Sequence, residues 1–554
     1  MRSLLAVTSA AILLLPRVLA DRSVDRFERQ RRHEALASHD LELVQHLPRA
    51  ATTRRTTTAT NKVTSTATST KKSSTNTRST TKAISSSRTS IKTTSSVCKP
   101  STKVSTRTVT VTKTQLQNPS KPSTVTVTKT LTLVPSYSVS SSTTSLSSYP
   151  TPTGNSTCAA IYKPKTGIYI DGTGTLPKPT SFVKKEKNSS ALTLDGKPFR
   201  IVGPNMYWLA EDENVNNGSW TSKPRIREAL AIAVAMGANT VRALSLASSV
   251  GNSTQFHLKP TLNSWNEKAW DVRDYAIYAA GEYGLRVVLT LSGNYDGPHG
   301  GKYTWLRWLN VTEENKGSKF YHEPKVINAF KQYVEKIVSH RNPYTNKTYG
   351  EDETILGWET GNEWGGYINA EEYPTVAWTN SIIDSIKKYS KHQLIIDGTN
   401  GFYNYTDKAV APSLNVSRVD VVQDHGYPRN IPLLQTEISI AERASKNLWV
   451  GEYDWTTNKD KDTLTDYLKL IESSKTIGDS IWSVQGHDDQ CCNYVKHDDG
   501  YSLYYPNGNL DKTTGALDSG AQANILAVVQ HWYKITGREV PKALPGVACP
   551  QPQF

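Results

Sequence analysis

The 554-residue sequence has no apolar run long enough to cross a membrane. Its N-terminal run, Leu4–Leu15, has about 12 residues, whereas a membrane helix needs about 20. Small and apolar residues follow at Val18–Ala20, so residues 1–20 are predicted to be a secretory signal peptide. Residues 21–50 are expected to be a propeptide or a solvated leader. The C-terminus lacks the hydrophobic tail of a lipid-anchor signal. We therefore expect a secreted, extracellular protein.

Acidic residues are missing from one long segment. Residues 51–157 contain 15 Lys or Arg and no Asp or Glu, whereas residues 1–50 carry a net +2 and the remainder a net −2. The net charge of +15 therefore belongs to this segment, and the rest of the chain is close to neutral. On a secreted protein, such a segment indicates binding to an anionic cell-wall polymer and not to nucleic acid.

The same segment is poor in apolar residues. Of the 100 residues from 51 to 150, 53 are Ser or Thr. Such a composition cannot bury enough apolar surface to offset its conformational entropy, so residues 51–157 are predicted to be a disordered, O-glycosylated stalk. A repeat at Thr108–Thr114 and Thr124–Thr130 alternates Thr with Val, which is typical of a strand. An edge ribbon or an adhesive patch is the alternative there.

Cysteine is scarce, and its number is odd. The five residues are Cys98, Cys158, Cys491, Cys492 and Cys549. Secretion favours disulfides. Cys158 and Cys549 could join the ends of the globular part, whereas Cys491 and Cys492 could form a vicinal bridge or take separate partners. The histidines lack the spacing of a metal site, so we expect no metal and no cofactor.

Eight Asn-X-Ser/Thr triplets are candidates for N-glycosylation, in agreement with export. They lie at Asn155, Asn188, Asn217, Asn252, Asn310, Asn346, Asn404 and Asn415.

From about Cys158, apolar strand-like runs alternate with amphipathic helical patterns. The strand candidates are Phe199–Gly203, Ala238–Arg242, Leu285–Leu291, Thr354–Glu359, Gln393–Asp397, Val419–Gln423, Leu448–Gly451 and Asp479–Trp482. Helical patterns lie between most of them, for example at Lys223–Met236, Ala269–Tyr283, Pro324–His340, Thr375–Tyr389, Lys461–Ser474 and Gly520–Thr536. Residues 403–412 give the weakest helical pattern. Eight such units predict an α/β fold, a (β/α)8 TIM barrel over residues 158–554.

Chemically active side chains follow these predicted strands. They are Arg242, Asn294 and Tyr295, Asn362 and Glu363, Asp424 to Tyr427, Glu452, and Trp482. Taken singly, Arg242 could be a structural ion-pair partner, and His425 or Trp482 could be an ordinary loop or core residue. Because the carboxyl ends of barrel strands meet on one face, their joint occurrence predicts a site. Two carboxyls facing each other there can cleave a glycosidic bond.

The chain resembles glycoside hydrolase family 5 over most of Leu192–Thr536. The resemblance rests on five motifs in order: Asn239–Arg242, Trp358–Glu363, His425–Tyr427, Gly451–Tyr453 and Trp482. Asn205–Leu209 and Leu291–Tyr295 make the chain most similar to the fungal and plant endo-β-1,4-mannanases of that family. The resemblance implies a retaining β-glycoside hydrolase that acts on a β-mannan or a related polysaccharide. We expect the protein to be a monomer.

The resemblance also implies roles. Glu363 is the acid/base, whose pKa is expected to be raised by burial and the neighbouring carboxylate, and Glu452 is the nucleophile. Arg242 and Tyr427 stabilise the charge of Glu452. Asn362 is expected to hydrogen-bond the sugar 2-hydroxyl, and His425 to position the acid/base. The residues expected to bind substrate are Asn294, Tyr295, Trp482 and Trp208.

Several residues depart from the family pattern. Trp364 stands where mannanases usually carry Pro, and Tyr295 where they carry Trp. Asp454 stands where the family pattern has a small residue, after Gly451–Tyr453. The loop Gln485–Tyr505 is long enough to close one end of a cleft.

Aromatic residues after several strands predict sugar subsites in an open groove. They are Tyr207, Trp208, Trp305, Trp308, Trp364 and Trp482. The sequence thus favours an endo-β-1,4-mannanase. The alternatives are a β-glucanase, an exo-acting or transglycosylating wall enzyme, and a catalytically silent wall mannoprotein.

Overall fold

The computed structural model describes residues 107–115, 123–131, 169–170, 176–187, 189–365, 372–404, 407–457, 462–489, 492–497, 499–508 and 510–549. An eight-stranded parallel sheet lies at its centre. The strands are β1 (Ile201–Pro204), β2 (Thr240–Ala243), β3 (Arg286–Thr290), β4 (Ile355–Glu359), β5 (Leu394–Ile396), β6 (Val421–Gly426), β7 (Asn447–Tyr453) and β8 (Gly478–Ile481). Each coincides with a predicted strand to within about three residues at either end, which is the usual uncertainty of a boundary.

The sheet closes on itself. β8 pairs with β1, and the first and second strands meet through a parallel bridge between Asn205 and Arg242. The amide of Met206 donates to the Arg242 carbonyl at 2.9 Å, and the amide of Asn239 donates to the Val202 carbonyl at 2.9 Å. The predicted TIM barrel is confirmed, and the carboxyl ends of its strands share one face.

The helices of the barrel lie outside this sheet. They are α1 (Lys223–Met236), α2 (Lys268–Glu282), α3 (Lys302–Trp308), α4 (Pro324–Val338), α5 (Val376–Tyr389), α6 (Ile431–Arg443), α7 (Leu464–Ser473) and α8 (Ser519–Ile535). α1 shows why the boundaries were readable. The Ser222 hydroxyl accepts from the Arg225 amide, Pro224 lies in the first turn, and Gly237 ends the helix at φ 92°. A capping hydroxyl, an early proline and a left-handed glycine are standard helix signals.

Two predicted details differ from the structure. Between β5 and β6, the residues that the structure describes form a short 3-10 turn, Pro412–Asn415, and no α-helix; the helical pattern was weakest just before it, at residues 403–412. Neither α3 nor α6 was among the helical patterns named from the sequence. Pro432 lies in the first turn of α6, where a missing N–H costs nothing, and Asn430 caps the helix by accepting from the Leu433 amide.

Short strands complete the barrel domain. They pair as Glu211–Asp212 with Ser219–Trp220, Arg341–Asn342 with Lys347–Thr348, Val484–Gln485 with Leu503–Tyr504, and Gly546–Val547 with Tyr169–Ile170. A three-stranded sheet of Lys184–Lys185, Leu192–Leu194 and Lys197–Phe199 lies before β1. Its Leu192 belongs to a buried cluster with Ile201 of β1, Val288 of β3 and Trp449 of β7. This cluster fills the amino end of the barrel and leaves the carboxyl end for the site.

The Thr/Val repeat is described separately from the barrel. Arg107–Gln115 and Ser123–Leu131 form an antiparallel pair in which Val111 lies opposite Val127. They belong to a different compact unit of the chain. This is the ribbon that the alternation allowed. The rest of the predicted stalk, the signal peptide and residues 21–50 lie outside the described residues.

One disulfide is described, between Cys492 and Cys549. It ties the loop after β8 to the C-terminal segment, a pairing that the sequence left open. Cys98, Cys158 and Cys491 lie outside the described residues. No helix in the described part of the chain is long and apolar enough to cross a membrane.

Candidate active site

Arg242 is the centre of the site at the carboxyl end of the barrel. Its guanidinium is fully buried and donates five hydrogen bonds. Two go to the Glu359 carboxylate at 2.9 Å each, in the bidentate geometry that a guanidinium favours. The others reach Asn205 at 2.8 Å, Glu452 at 2.6 Å and Asn362 at 2.6 Å. One cation thus holds side chains at the carboxyl ends of β1, β4 and β7.

Glu452 lies near the end of β7 and is only 4% exposed. One carboxylate oxygen accepts from Arg242, and the other accepts from the Tyr427 hydroxyl at 3.2 Å. Burial and the charge of Glu452 raise the pKa of Tyr427 well above its ordinary value, so the phenol remains a donor. Two donors on one buried carboxylate favour its ionised form.

Glu363 lies in a sharp turn just after β4. Its φ is 62°, a left-handed conformation that costs a residue with a Cβ roughly 1–2 kcal/mol. Backbone bridges on either side hold the turn, from Asn362 to Gly293 and from Trp364 to Thr399. Its carboxyl accepts a hydrogen bond from His425 Nδ1 at 2.8 Å and another from Tyr295.

The two carboxyls face each other across His425. An oxygen of Glu363, an oxygen of Glu452 and a His425 nitrogen all lie within 4.8 Å of one another. His425 Nδ1 is 3.5 Å from Glu452. Carboxyls about 5–5.5 Å apart are typical of retaining glycosidases, whereas inverting enzymes separate them by roughly 6.5–9.5 Å to admit a water.

The pKa directions in this trio differ from the expectation. Burial raises the pKa of Glu363, but the hydrogen bond and charge of His425, with the Tyr295 hydrogen bond and the Arg242 charge, together hold that pKa below its ordinary value. Burial raises the pKa of Glu452, against the charges of His425 and Arg242. Burial lowers the pKa of His425, but the two glutamates outweigh it and raise that pKa. The expected rise counted the carboxylate next to Glu363; His425 was expected to contact the acid/base, but its lowering of the pKa of Glu363 was not included.

Trp482 follows β8 and forms a platform beside the carboxyls. Its ring is half-buried and stacks on Tyr207, with centroids 5.4 Å apart and planes 15° apart. Its indole nitrogen donates to Asp499 at 2.7 Å. Asn362 is also half-buried, and because its carbonyl oxygen accepts from Arg242, its amide nitrogen is left as the donor.

Three of the predicted aromatic positions belong to the core. Trp208 is fully buried, donates to the Val484 carbonyl at 2.9 Å and packs under Arg225, so its assignment to substrate binding is wrong. Trp305 and Trp364 are also fully buried. Trp364 packs against Phe320 and Trp378, where it anchors the turn that carries Glu363. The predicted row of exposed platforms is therefore absent at these positions. Asn294 is buried beside this turn, and its backbone N–H donates to the backbone carbonyl of Asn362.

Sequence reasoning missed Glu359 and the side chains that support it. This fully buried glutamate binds Arg242 and also accepts from Thr290 and Gln423. The signal was present, because a charged residue inside the apolar run Ile355–Glu359 needs a buried partner. Asn205 was quoted only as part of a motif, although it accepts from Arg242 and closes the barrel.

Two side-chain trios in the described residues have the spacing of a cation site. One is Glu228, His487 and Cys549, but the sulfur of Cys549 is already in a disulfide. The other is Glu363, His425 and Glu452, in which the imidazole bridges the carboxyls.

Of the six candidate glycosylation sites in the described residues, five are exposed and Asn404 is half-buried. Asn155 and Asn188 lie outside the described residues.

Comparison with known proteins points to one family of glycoside hydrolases. Residues 180–447 match the model of the glycoside hydrolase family 5 beta-mannosidase-like domain, a match that ends before Glu452. Mannan endo-1,4-beta-mannosidase 2 of Oryza sativa subsp. japonica is 29% identical over 268 residues, which are 44% of this chain and 58% of that protein. Mannan endo-1,4-beta-mannosidase 1 of the same plant is 24% identical over 378 residues, 59% of this chain and 83% of that protein. The chain thus spans a little over half of the first relative.

A solved structure shares the fold. The endo-1,4-beta-mannanase from Rhizomucor miehei aligns with a TM-score of 0.52 and 20% identity, over 65% of this chain and 100% of that one.

Proposed function

We propose that this protein is a retaining hydrolase of β-1,4-linked mannan, because residues 180–447 match the glycoside hydrolase family 5 beta-mannosidase-like domain. The observation that carries the proposal is the pair Glu363 and Glu452, close together and supported differently. Arg242 and Tyr427 bind Glu452, whereas His425 and Tyr295 bind Glu363. Two carboxyls in unlike surroundings are what a double displacement requires.

In the first step, a carboxylate oxygen of Glu452 attacks the anomeric carbon and forms an ester bond. The bond from that carbon to the leaving oxygen breaks, and the leaving oxygen takes a proton from Glu363. In the second step, a water gives its proton to Glu363 and attacks the same carbon, which frees Glu452. The sugar is released with its configuration retained.

His425 lies between the two carboxyls and influences which of them carries the proton. Burial lowers the pKa of His425, but the two glutamates raise it overall, which favours a proton on the imidazole, one hydrogen bond from Glu363. Interacting groups titrate together, and the proton that the acid delivers is shared by this couple. The Asn362 amide nitrogen is available to the sugar 2-hydroxyl, a contact that strengthens as the oxocarbenium ion forms.

Two variants test the roles. Glu452→Ala should abolish hydrolysis, and added azide should restore turnover and give a glycosyl azide of inverted configuration. Glu363→Ala should retain the first step on substrates with good leaving groups, because these need no protonation. If azide instead restored only the Glu363 variant, with the inverted product, the two assignments would have to be exchanged.

The polymer is tested by measuring reducing-sugar release from mannan, cellulose and β-1,3-glucan side by side. The names of the curated relatives support mannan. Activity on a glucan alone would replace mannan as the substrate, and inactivity on every polymer would favour the wall mannoprotein.

We also propose that the protein is secreted and associates with the cell wall. The N-terminal apolar run, the exposed sequons and the basic segment 51–157 support this. A chain that begins at Cys158 should keep its turnover on soluble mannan and lose its salt-sensitive retention on anionic wall material. If the full chain and the shortened chain were retained equally on anionic wall material, residues 51–157 would not be the wall-binding segment.

A further inference from the structure

The Thr/Val repeat forms a two-stranded sheet that the proposed hydrolase activity does not use. We call the antiparallel pair Arg107–Gln115 and Ser123–Leu131 the ribbon. Its two strands are nine residues long each and pair over their whole length. Within the described residues, no third strand joins this sheet. Each strand of the ribbon therefore has one free edge, along which backbone N–H and C=O groups are available to another strand.

The two strands carry the same seven residues. Thr108–Thr114 and Thr124–Thr130 both read Thr-Val-Thr-Val-Thr-Lys-Thr. The ribbon pairs these two segments with each other, with Val111 opposite Val127. The ladder inside one molecule is thus formed by the repeat and a second copy of the same repeat. The free edge of either strand consequently offers a backbone on which the repeat of another molecule can pair in the same register.

This register also keeps like charges apart. Lys113 lies opposite Val125, and Lys129 lies opposite Val109. Because the repeats are identical, the same antiparallel register between two molecules places each Lys opposite a Val. A parallel, in-register pair would instead place each Lys opposite the same Lys, and like charges opposite each other are destabilising. The repeat therefore favours antiparallel pairing with its own copy.

The composition of the repeat favours an added strand. It consists of Thr, Val and one Lys and contains neither Pro nor Gly. Segments of about six or seven residues with high β-propensity and low net charge are the ones that stack edge to edge. An isolated two-stranded ribbon is only marginally stable in water, and further strands stabilise it. A second molecule supplies such strands with a matching sequence.

We propose that the ribbon is a self-association surface, and that its free edges pair antiparallel with the ribbon of a second copy of this chain. Because both edges carry the repeat, two copies that pair along one edge each keep another, and the assembly can grow beyond a dimer. Residues 51–157 contain 15 cations and no acid, so their mutual repulsion opposes the pairing. Self-association replaces the monomer expected from the sequence, and it is independent of the polymer that the barrel hydrolyses.

The test is the molar mass of the secreted full-length chain, measured by light scattering over a range of protein and salt concentrations. The mass should rise above that of a monomer as the protein concentration increases. The rise should be larger at high salt, which screens the repulsion between the basic segments. A monomer under all conditions would overturn the proposal and leave the proposed hydrolase standing. A mass that fell with salt would overturn it too, because that result indicates copies joined by a bound polyanion.

A double variant locates the surface. Val111→Pro combined with Val127→Pro removes one backbone N–H from each strand and should return the protein to a monomer, because proline cannot pair within a sheet. Val104→Pro combined with Val139→Pro is the matched control, since it makes the same changes in the same segment but outside the two strands. The control should associate as the wild type does. Association of the ribbon variant at the wild-type level would overturn the ribbon as the surface.

A peptide tests the edges themselves. An excess of the free peptide Thr-Val-Thr-Val-Thr-Lys-Thr should pair with the edges and lower the molar mass of the assembly. A peptide of the same composition in which the two Val are adjacent lacks the alternation and should leave the mass unchanged. Equal effects of the two peptides, or no effect of either, would show that the copies do not meet at the edges of the ribbon.

Discussion

Replacing Tyr427 by Phe removes one hydroxyl from the nucleophile and leaves its other supports in place. The hydroxyl donates to one oxygen of Glu452 at 3.2 Å, while Arg242 holds the other at 2.6 Å. The ring packs against Tyr501 with centroids 5.0 Å apart, a contact that Phe keeps. The substitution therefore isolates one hydrogen bond to a carboxylate, and we expect the fold to be unaffected.

The size of the effect follows from the geometry. A hydrogen bond to a charged group is worth about 1.5–3 kcal/mol, and the 3.2 Å separation is long for an O–H donor, so the lower figure applies. About 1.5 kcal/mol corresponds to roughly a tenfold loss of kcat/KM. The hydroxyl also favours the carboxylate form, so its loss should raise the pKa of Glu452 further. Because Glu452 must be ionised, the acidic limb of the pH profile should move to higher pH.

The assay is kcat/KM on mannan oligosaccharides across pH, with the melting temperature measured alongside. Tyr344→Phe is the matched control, because Tyr344 also donates to a carboxylate, that of Asp271, at 2.6 Å, but on the outer helical layer. An unchanged kcat/KM and acidic limb in the Tyr427 variant would refute the claim that this hydroxyl stabilises the nucleophile. A melting temperature that fell with the activity would assign the loss to folding.

Three further predictions concern charge and covalent structure. His425→Gln should move both limbs of the pH profile to higher pH, because the imidazole lowers the pKa of both catalytic carboxyls; unmoved limbs would contradict this. Glu437→Gln should raise the melting temperature at pH 8 and not at pH 4. Burial and Asp424 raise the pKa of Glu437 well above its ordinary value. The carboxyl therefore costs roughly 1–3 kcal/mol of stability as the pH rises above the ordinary pKa, where the unfolded chain ionises first. Equal changes in melting temperature at both pH values would contradict this. Cys492→Ser opens a disulfide that spans 57 residues and should cost about 2–4 kcal/mol in unfolding experiments. An unchanged unfolding midpoint would remove its stabilising role.

The strand and helix pattern could be read from the sequence because local signals agree with the fold. The eight apolar runs mark the strands, and the capping residues of α1 mark where that helix begins and ends. The residues at the strand ends could be read for the same reason, since a barrel brings such positions together. Glu363, Glu452, Arg242 and His425 therefore converge as predicted.

The exposure of each aromatic ring could not be read in this way. Trp208 and Trp482 both follow a barrel strand, yet Trp208 is fully buried and Trp482 is half-buried, because the segment that follows β8 and helix α1 pack over Trp208. That difference depends on contacts between residues nearly 280 positions apart in the chain, such as Trp208 with Val484. The pKa order of the glutamates likewise depends on where the His425 ring lies, which only the folded barrel decides.

The central claim is that Glu452 forms a covalent bond to the sugar. A 2-deoxy-2-fluoro mannoside with a good leaving group slows the breakdown of that bond and lets the glycosyl-enzyme accumulate. Peptide mapping of the inactivated protein by mass spectrometry should find one fluoromannosyl group, on Glu452. A label on Glu363, or inactivation without any covalent adduct, would contradict the account.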